Sequence, residues 1–322
     1  MAQIFDGQIR FGIHSGPQHT TFAEYLELWR ATEDLGLDWA SVFDHFLPIQ
    51  TDPEGPCFEG LTLLSAMAAH TSRIRCGILV VGNTYRNPAV LANIATTIDH
   101  VSGGRLELGV GAGWYEMEHE EYGIPFHTVG RRIRMLGESA QILRSLWTEH
   151  RTTFEGRYYH MEDALCEPKP LQEPQIPLWI GGAGERLTLR VAAESADGWN
   201  TFFVPLEEYR HKLDALVAHC RVVGRDPGEI RKSLVVQAMI RTSAAEVDAG
   251  LERLARERNA TVEAIRSRGV YGTPADCVEQ LLPYVEAGVG DFILGVRLPA
   301  DMQTLELLAT KVAPAVRERA AR

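Results

Sequence analysis

The sequence has few features that would fix the protein by covalent or metal cross-links. Its 322 residues include five cysteines, an odd number with no Cys-x-x-Cys pair, so neither a disulfide framework nor a cysteine zinc site is indicated. None of the eleven histidines stands at His-x-His or His-Glu-x-x-His spacing, so we expect no bound metal. Scattered reduced thiols are typical of a cytoplasmic protein.

Long apolar segments and an excess of positive charge are also missing. No window approaches the roughly 20 apolar residues of a membrane span, and the N-terminus, Met-Ala-Gln-Ile-Phe-Asp-Gly, has no basic region followed by an apolar stretch. Lys and Arg number 32 against 43 Asp and Glu, and the net charge of −11 disfavours nucleic acid or an anionic membrane as partner. We expect a soluble cytoplasmic protein that binds a small molecule.

Short apolar runs alternate with helical segments along most of the chain. Strands are predicted at residues 10–13, 37–43, 74–81, 106–110, 178–180, 198–203, 233–240 and 291–296. Between the strands at 233–240 and 291–296, only helices are predicted, over residues 244–267 and from Thr273 onward. Eight strands that alternate with helices favour an α/β fold of the (β/α)8 TIM-like barrel type, with a doubly wound sheet as the alternative.

Residues 152–175 interrupt this alternation. A hairpin that turns at Glu155-Gly156 is followed by a proline-rich coil through Pro168, Pro170 and Pro174. We therefore predict one barrel domain over residues 1–322, with an insertion at about 151–176.

Residues 177–187, Pro-Leu-Trp-Ile-Gly-Gly-Ala-Gly-Glu-Arg-Leu, join a buried strand through a glycine-rich turn to a helix predicted to begin at Arg186. Such a turn lets an anion approach the N–H groups that the first helical turn leaves unpaired, so Gly181, Gly182, Ala183 and Gly184 are predicted to bind phosphate. A tight turn without a ligand is the alternative, because the spacing matches neither the dinucleotide fingerprint nor a Walker A loop.

Functional residues of such barrels gather at the C-terminal strand ends. The candidates predicted there are His14, Asp44, His45, Gly82, Asn83, Trp114, Tyr115, Trp199, Asn200 and Arg297. Asp44-His45 is the strongest catalytic pair, because imidazole can shuttle a proton while a carboxylate accepts from a ring N–H. Trp114 and Tyr115 can supply an aromatic wall for a flat ring. Capping of the barrel by His45, pairing of Asp44 with a backbone donor and packing by the aromatic pair remain open alternatives.

Two further motifs have simpler interpretations. Gly109-Val-Gly-Ala-Gly113 lacks both the spacing of a dinucleotide loop and the acid expected after it, so we predict a loop that some other group approaches closely. Arg131, Arg132 and Arg134 open the next helix and are predicted to face solvent.

Several segments together resemble the luciferase-like monooxygenase superfamily, and most closely its deazaflavin-dependent oxidoreductases, which use coenzyme F420. They are 42–46 (Val-Phe-Asp-His-Phe), 82–90 (Gly-Asn-Thr-Tyr-Arg-Asn-Pro-Ala-Val), 102–108, 109–114, 122–126 (Tyr-Gly-Ile-Pro-Phe) and 178–200. These segments cover nearly the first two thirds of the chain in the right order, whereas the last third matches only in its alternation of strands and helices.

The resemblance implies a TIM-like barrel with a deazaflavin ring in its opening and the cofactor phosphate on the Gly181–Gly184 turn. Asp44 would contact the ring system and His45 would lie near its reacting face. A non-prolyl cis peptide near Leu79-Val80 would form a bulge behind the ring. The cofactor would also contact the strand-end residues Gly82, Asn83, Trp199 and Asn200. The substrate pocket would be lined by His14, Trp114, Tyr115 and Arg297. The resemblance also implies a homodimer.

The implied activity is hydride transfer between coenzyme F420 and a small organic substrate. Sugar-phosphate dehydrogenases of this family place an acid directly after the glycine loop, where this chain has Trp114, and the nearest carboxylates are Glu116 and Glu118. A glucose-6-phosphate-type reaction is therefore disfavoured, and a less polar substrate is expected. The alternatives are an FMN-dependent luciferase-like monooxygenase, a non-catalytic barrel that binds flavin or deazaflavin and, more distantly, a metal-dependent hydrolase.

Overall fold

The computed structural model describes residues 7–49 and 51–321; the segment 1–7, in which no leader is expected, lies largely outside them. The strands are β1 (Arg10–Ser15), β2 (Trp39–Val42), β3 (Arg75–Gly82), β4 (Leu106–Gly111), β5 (Thr152–Glu155), β6 (His160–Ala164), β7 (Leu178–Gly181), β8 (Gly198–Phe202), β9 (Arg231–Ile240), β10 (Gly269–Gly272) and β11 (Val289–Val296). The helices are α1 (Phe22–Asp34), α2 (Gly60–His70), α3 (Pro88–Ser102), α4 (Glu116–Glu121), α5 (Val129–Thr148), α6 (Thr188–Ser195), α7 (Leu206–Val223), α8 (Ala244–Glu257), α9 (Val262–Arg266), α10 (Pro274–Glu286), α11 (Met302–Leu307) and α12 (Ala313–Ala320).

Eight strands close into a parallel barrel in the order β1-β2-β3-β4-β7-β8-β9-β11, and β11 pairs with β1 to complete the ring. This confirms the predicted (β/α)8 fold and excludes the doubly wound sheet, which is open and has two edges. The predicted hairpin is also present, because β5 and β6 pair as a separate antiparallel sheet.

The sequence prediction is wrong between β9 and β11, where it expects only helices. Residues Gly269–Gly272 form β10, which pairs in parallel with the last four residues of β9. Its sequence, Gly-Val-Tyr-Gly, is too short and glycine-rich to give a strand signal. The strand forms because β9 extends beyond the segment that β8 and β11 occupy and offers free backbone groups there.

Charged side chains close the N-terminal end of the barrel, and we call this cluster the floor. Glu107 accepts hydrogen bonds from Arg10 Nη1 and Arg75 Nε, both at 2.6 Å, and Asp291 accepts from Arg10 Nε at 2.6 Å and Arg231 Nε at 2.7 Å. Both carboxylates are buried. Although burial works to raise the pKa of Glu107, Arg10 and Arg75 lower it to about 2.

Two tryptophans fill the barrel above the floor. Trp39 and Trp179 meet edge to face, with ring centroids 5.4 Å apart, and Trp179 Nε1 donates to Glu107 at 2.8 Å. Gly77 makes room for them, because a Cβ there would lie 2.7 Å from the Trp39 ring. With its lower half filled in this way, the barrel leaves space for a ligand only at the C-terminal strand ends, which we call the mouth.

Candidate active site

The alternation of side chains along β1 brings His14 into the mouth. Arg10 and His14 face the barrel interior, whereas Ser15 faces α1, where its carbonyl accepts from the Tyr25 hydroxyl at 3.1 Å. Ser41 Oγ lies 3.0 Å from His14 Nδ1 and donates to the Ile13 carbonyl at 3.1 Å. The Ser41 hydroxyl has one hydrogen, which it donates to the Ile13 carbonyl, so in the hydrogen bond between Ser41 and His14 the donor must be His14 Nδ1. Burial, and secondarily His45, lower the pKa of His14 to about 4.

The residues that follow β2 divide between two networks. In the first, Asp44 pairs with Arg86 through Oδ2–Nη1 at 2.6 Å and Oδ1–Nη2 at 2.9 Å, and it also accepts from the Gly82 N–H at 3.1 Å. Arg86 also pairs with Glu59, whose carboxylate caps the start of α2. Burial raises the pKa of the Asp44 carboxyl, while Arg86 and Gly82 act against that shift.

This placement differs from what the resemblance implies for Asp44. Its side chain has no exposed surface and both of its oxygens are occupied, so it does not reach into the mouth to touch a ring. Asp44 instead holds Gly82, the last residue of β3, and the loop that follows it.

The second network contains His45 and Glu118. Glu118 lies on α4, is fully buried, and accepts from His45 Nδ1 at 2.8 Å, from the Phe46 N–H at 2.6 Å and from the Leu47 N–H at 2.9 Å. The Tyr85 hydroxyl donates to the same carboxylate. Burial works to raise the pKa of Glu118, but the hydrogen bonds from its neighbours outweigh it and the pKa lies below its ordinary value.

Three aromatic rings pack around His45. The His45 ring meets Phe43, Trp114 and Tyr115 edge-on, with centroids 5.0, 5.5 and 5.8 Å away. Trp114 is 57% exposed and stacks on Tyr115 with centroids 5.2 Å apart. The structure thus brings the predicted aromatic pair next to His45, and an accessible ring borders it.

Strand β3 carries a bulge at the mouth. The Leu79-Val80 peptide bond is cis, and the register with β4 shifts between Ile78 and Val81. The cis bond and bulge that the resemblance implies are therefore present. Their position relative to a cofactor ring stays a prediction.

The Val80 side chain fills space that glycines on two other strands leave open. A Cβ at Gly109, Gly111 or Gly181 would lie 2.6–2.8 Å from the Val80 methyl groups. Gly109 and Gly111 belong to β4. The close approach predicted for the 109–113 motif thus takes place within the barrel, to a side chain of β3.

Neighbouring strand β8 supports the glycine-rich turn. Gly182 has φ +124°, a value that side chains rarely adopt; its N–H donates to the Asn200 carbonyl at 3.1 Å, and its carbonyl accepts from Trp199 Nε1 at 2.8 Å. Trp199 is fully buried, so it holds the turn from behind and does not line the mouth. The Asn200 side chain donates to Ser233 Oγ at 2.8 Å.

The backbone N–H groups of residues 183–187 make no hydrogen bond to any described residue, and α6 begins at Thr188 without a side-chain cap. The helix starts two residues later than predicted, which lengthens the row of free donors. Unpaired N–H groups at a helix start are favourable for an anion.

The two remaining candidates lie apart from this turn. Asn83 is buried, and its amide donates to the Tyr159 hydroxyl of the β5–β6 hairpin at 3.4 Å. Arg297 directly follows β11, is exposed, and has no hydrogen bond or ion pair to other described residues. It therefore stands at the rim of the mouth with a free guanidinium.

Three residues that organise the candidate site are missing from, or misplaced by, the sequence prediction. Arg86 lies inside the 82–90 segment, but its ion pair with Asp44 spans 42 residues. From the sequence, Glu118 is only one of the two carboxylates nearest to Trp114. Arg132, predicted to face solvent, is buried: it stacks on Phe126 at 3.9 Å and donates to the Gly113 carbonyl at 3.1 Å.

Within residues 7–49 and 51–321, no three His, Cys, Asp or Glu side chains are grouped so as to hold a metal ion. Among the same residues, no helix is both long and apolar enough to cross a bilayer.

Comparison with known proteins identifies the family. The model of the luciferase-like monooxygenase family matches residues 7–260. The chain belongs to the luciferase-like monooxygenase family. Membership agrees with the barrel, the bulge of β3 and the motifs quoted from the sequence.

Individual relatives of this luciferase-like chain differ in coverage. An uncharacterized protein of Mycobacterium tuberculosis is 39% identical, but the match spans 43% of this chain and about half, 48%, of that protein. The F420-dependent glucose-6-phosphate dehydrogenase of Intrasporangium calvum is 30% identical, over 88% of this chain and 92% of its own. Among solved structures, an F420-dependent secondary alcohol dehydrogenase superposes with a TM-score of 0.83 at 20% identity, covering 96% and 99% of the two chains. At 20% identity, the superposition shows that the two proteins share a fold and nothing further.

Proposed function

We propose that this protein is an oxidoreductase that transfers a hydride between coenzyme F420 and a small organic substrate. The observation that carries the proposal is the pairing, in one mouth, of a turn with free backbone N–H groups and a histidine backed by a carboxylate. The names of the relatives with F420-dependent activity support the choice of cofactor.

The residues present fit such a cofactor. Residues 183–187 offer donors to its phosphate, and Gly182 and Gly184 allow the close approach because they add no side chains of their own beside Thr188. The β3 bulge at Leu79-Val80 offers an apolar surface for the flat ring. When bound, F420 supplies the atom that accepts or donates hydride, and the protein orients and shields it.

The proton would be handled by His45. Its Nδ1 faces Glu118, which leaves Nε2 as the nitrogen available to the mouth. Phe43, Trp114 and Tyr115 would exclude water from the reacting atoms, and His14 would lie beside the substrate. Because this wall is aromatic and Trp114 stands where sugar-phosphate dehydrogenases carry an acid, we propose a less polar substrate than a sugar phosphate.

Binding titrations with F420 and with FMN test the cofactor. We expect the full chain to bind F420 with at least tenfold lower Kd than FMN. Turnover is then followed by F420 absorbance in both directions, with secondary alcohols and oxidised cofactor or with ketones and reduced cofactor. Absence of F420 binding would exclude the proposal.

An FMN-dependent monooxygenase is the second candidate, and the description of the matching family favours it. Preferential FMN binding with substrate-dependent oxygen consumption would support it. The third, a non-catalytic cofactor-binding barrel, predicts tight binding with no effect of His45→Ala on any turnover.

The proposal extends to assembly and location. We infer a homodimer from the family resemblance, and a cytoplasmic protein from the cysteine usage and the net charge of −11, which also disfavour nucleic acid and membrane partners. Light scattering of the purified chain gives the mass in solution, and a monomer at micromolar concentration would contradict the first inference.

A further inference from the structure

Glu118 is surrounded by hydrogen-bond donors only. The backbone N–H groups of Phe46 and Leu47 occupy Oε1, and these groups can only donate. The Tyr85 hydroxyl and His45 Nδ1 lie on Oε2. A carboxylate offers about four lone-pair sites in all, so the four neighbours saturate an ionised Glu118.

This environment decides where the proton of neutral His45 resides. An ionised carboxylate is an acceptor only, and therefore the hydrogen between His45 and Glu118 belongs to Nδ1. The other nitrogen, Nε2, then carries a lone pair. The Trp114 and Tyr115 rings border the same imidazole, with centroids 5.5 and 5.8 Å away, so the nitrogen left for a ligand belongs to a ring with aromatic neighbours.

We propose that Glu118 is the positioning residue of the active site: it holds His45 as the Nδ1–H tautomer and stabilises the imidazolium that forms during turnover. The inference rests on the function proposed above. In the oxidative direction, Nε2 would take the proton as the O–H bond of an alcohol breaks and the C=O bond forms, and bound F420 would supply the acceptor for the hydride lost from carbon. The new positive charge then lies 2.8 Å from a buried carboxylate.

Glu118→Gln separates this role from a purely structural one. The amide oxygen of glutamine can still accept from Phe46 and Leu47, so the connection between β2 and α4 stays held. The amide nitrogen then faces Tyr85 and His45. Because that nitrogen only donates, His45 Nδ1 must become the acceptor and the proton must move to Nε2. The variant thus keeps the shape and reverses the tautomer.

The experiment is long-range 1H–15N NMR of the full chain labelled at histidine nitrogen, with His45 assigned by its loss in His45→Asn. We expect wild type to show a protonated Nδ1 and Glu118→Gln to show a protonated Nε2. Glu116→Gln, an exposed site on the same short helix, is the matched control and should leave the protonated Nδ1 signal of His45 unchanged.

Turnover with F420 adds a second readout. Loss of a positioned base should reduce kcat by about 100-fold or more, with the Kd for F420 within twofold of wild type. A wild-type spectrum with protonated Nε2 overturns the proposal, and this reading does not require Glu118→Gln to fold. A reversed tautomer with undiminished kcat also overturns it. If wild type binds no F420, the proposed function fails, whereas the NMR result still decides the role of Glu118 toward His45.

Discussion

Replacement of Gly182 by alanine tests whether the glycine-rich turn binds the cofactor. At φ +124° a residue with a side chain is strained by about 1–3 kcal/mol, and the new Cβ would lie 3.2 Å from Thr188 Cγ2. The free protein can relieve this strain by shifting the turn, but a bound phosphate needs residues 183–187 in their present arrangement. Binding of the phosphate then forces the variant back into the strained conformation, and this strain energy reduces the free energy of binding. We therefore expect the Kd for F420 to rise about 5- to 150-fold.

The assay is a titration of F420 into wild type, Gly182→Ala and Gly288→Ala. Gly288 is the matched control: it has φ +88°, nothing lies within 4 Å of a Cβ there, and it precedes β11 at the opposite end of the barrel. Gly288→Ala should lose stability but keep its Kd. In Gly182→Ala, kcat at saturating F420 should stay within twofold of wild type, because His45 lies after β2, three strands away. Loss of kcat at unchanged Kd would refute this division between binding and chemistry.

Three further predictions concern stability. Glu107→Gln removes the charge that Arg10 and Arg75 share, while Arg10 keeps Asp291, and should cost about 3–5 kcal/mol in urea unfolding. A loss below about 1 kcal/mol would contradict the role of the floor. The pKa of His14 is about 4 in the folded protein, against an ordinary value of 6.5 that applies to the unfolded chain. Between these two pH values the unfolded chain binds more protons than the folded protein, so the free energy of unfolding falls as the pH drops from 6.5 to about 4. His14→Phe should flatten the slope by up to about 1.4 kcal/mol per pH unit, and an unchanged slope would argue against it. Gly111→Ala places a Cβ 2.6 Å from Val80 Cγ2 and should lower the free energy of unfolding by about 1–3 kcal/mol. Adding Val80→Ala should recover part of that loss. If the effects of the two substitutions on the free energy of unfolding simply add, the predicted contact is refuted.

The barrel could be predicted from the sequence because its strands are buried on both faces and read as apolar runs between glycine and proline. β7, with Leu178, Trp179 and Ile180, is such a run. β10 could not be predicted, because four residues with glycine at both ends acquire their strand geometry only from pairing with β9.

For the candidate site, local chemistry was predictable and long-range pairing was not. His45 and the glycines stand out because a strand end or a turn is a local pattern. The partner of His45 is 73 residues away, on a helix of six residues that is too short to show a periodic face. The solvent-facing position predicted for Arg132 is wrong for the same reason. Its burial depends on contacts with Phe126 and Gly113, which lie outside α5 and cannot be seen in the helix sequence.

The floor also limits how a ligand can reach the inside of the barrel. Since buried ion pairs close the N-terminal end, any molecule that binds among the strands has one route in and out, the mouth. If the protein binds F420 and a substrate as proposed, the two share that route, and product-inhibition kinetics would show whether one of them blocks the exit of the other.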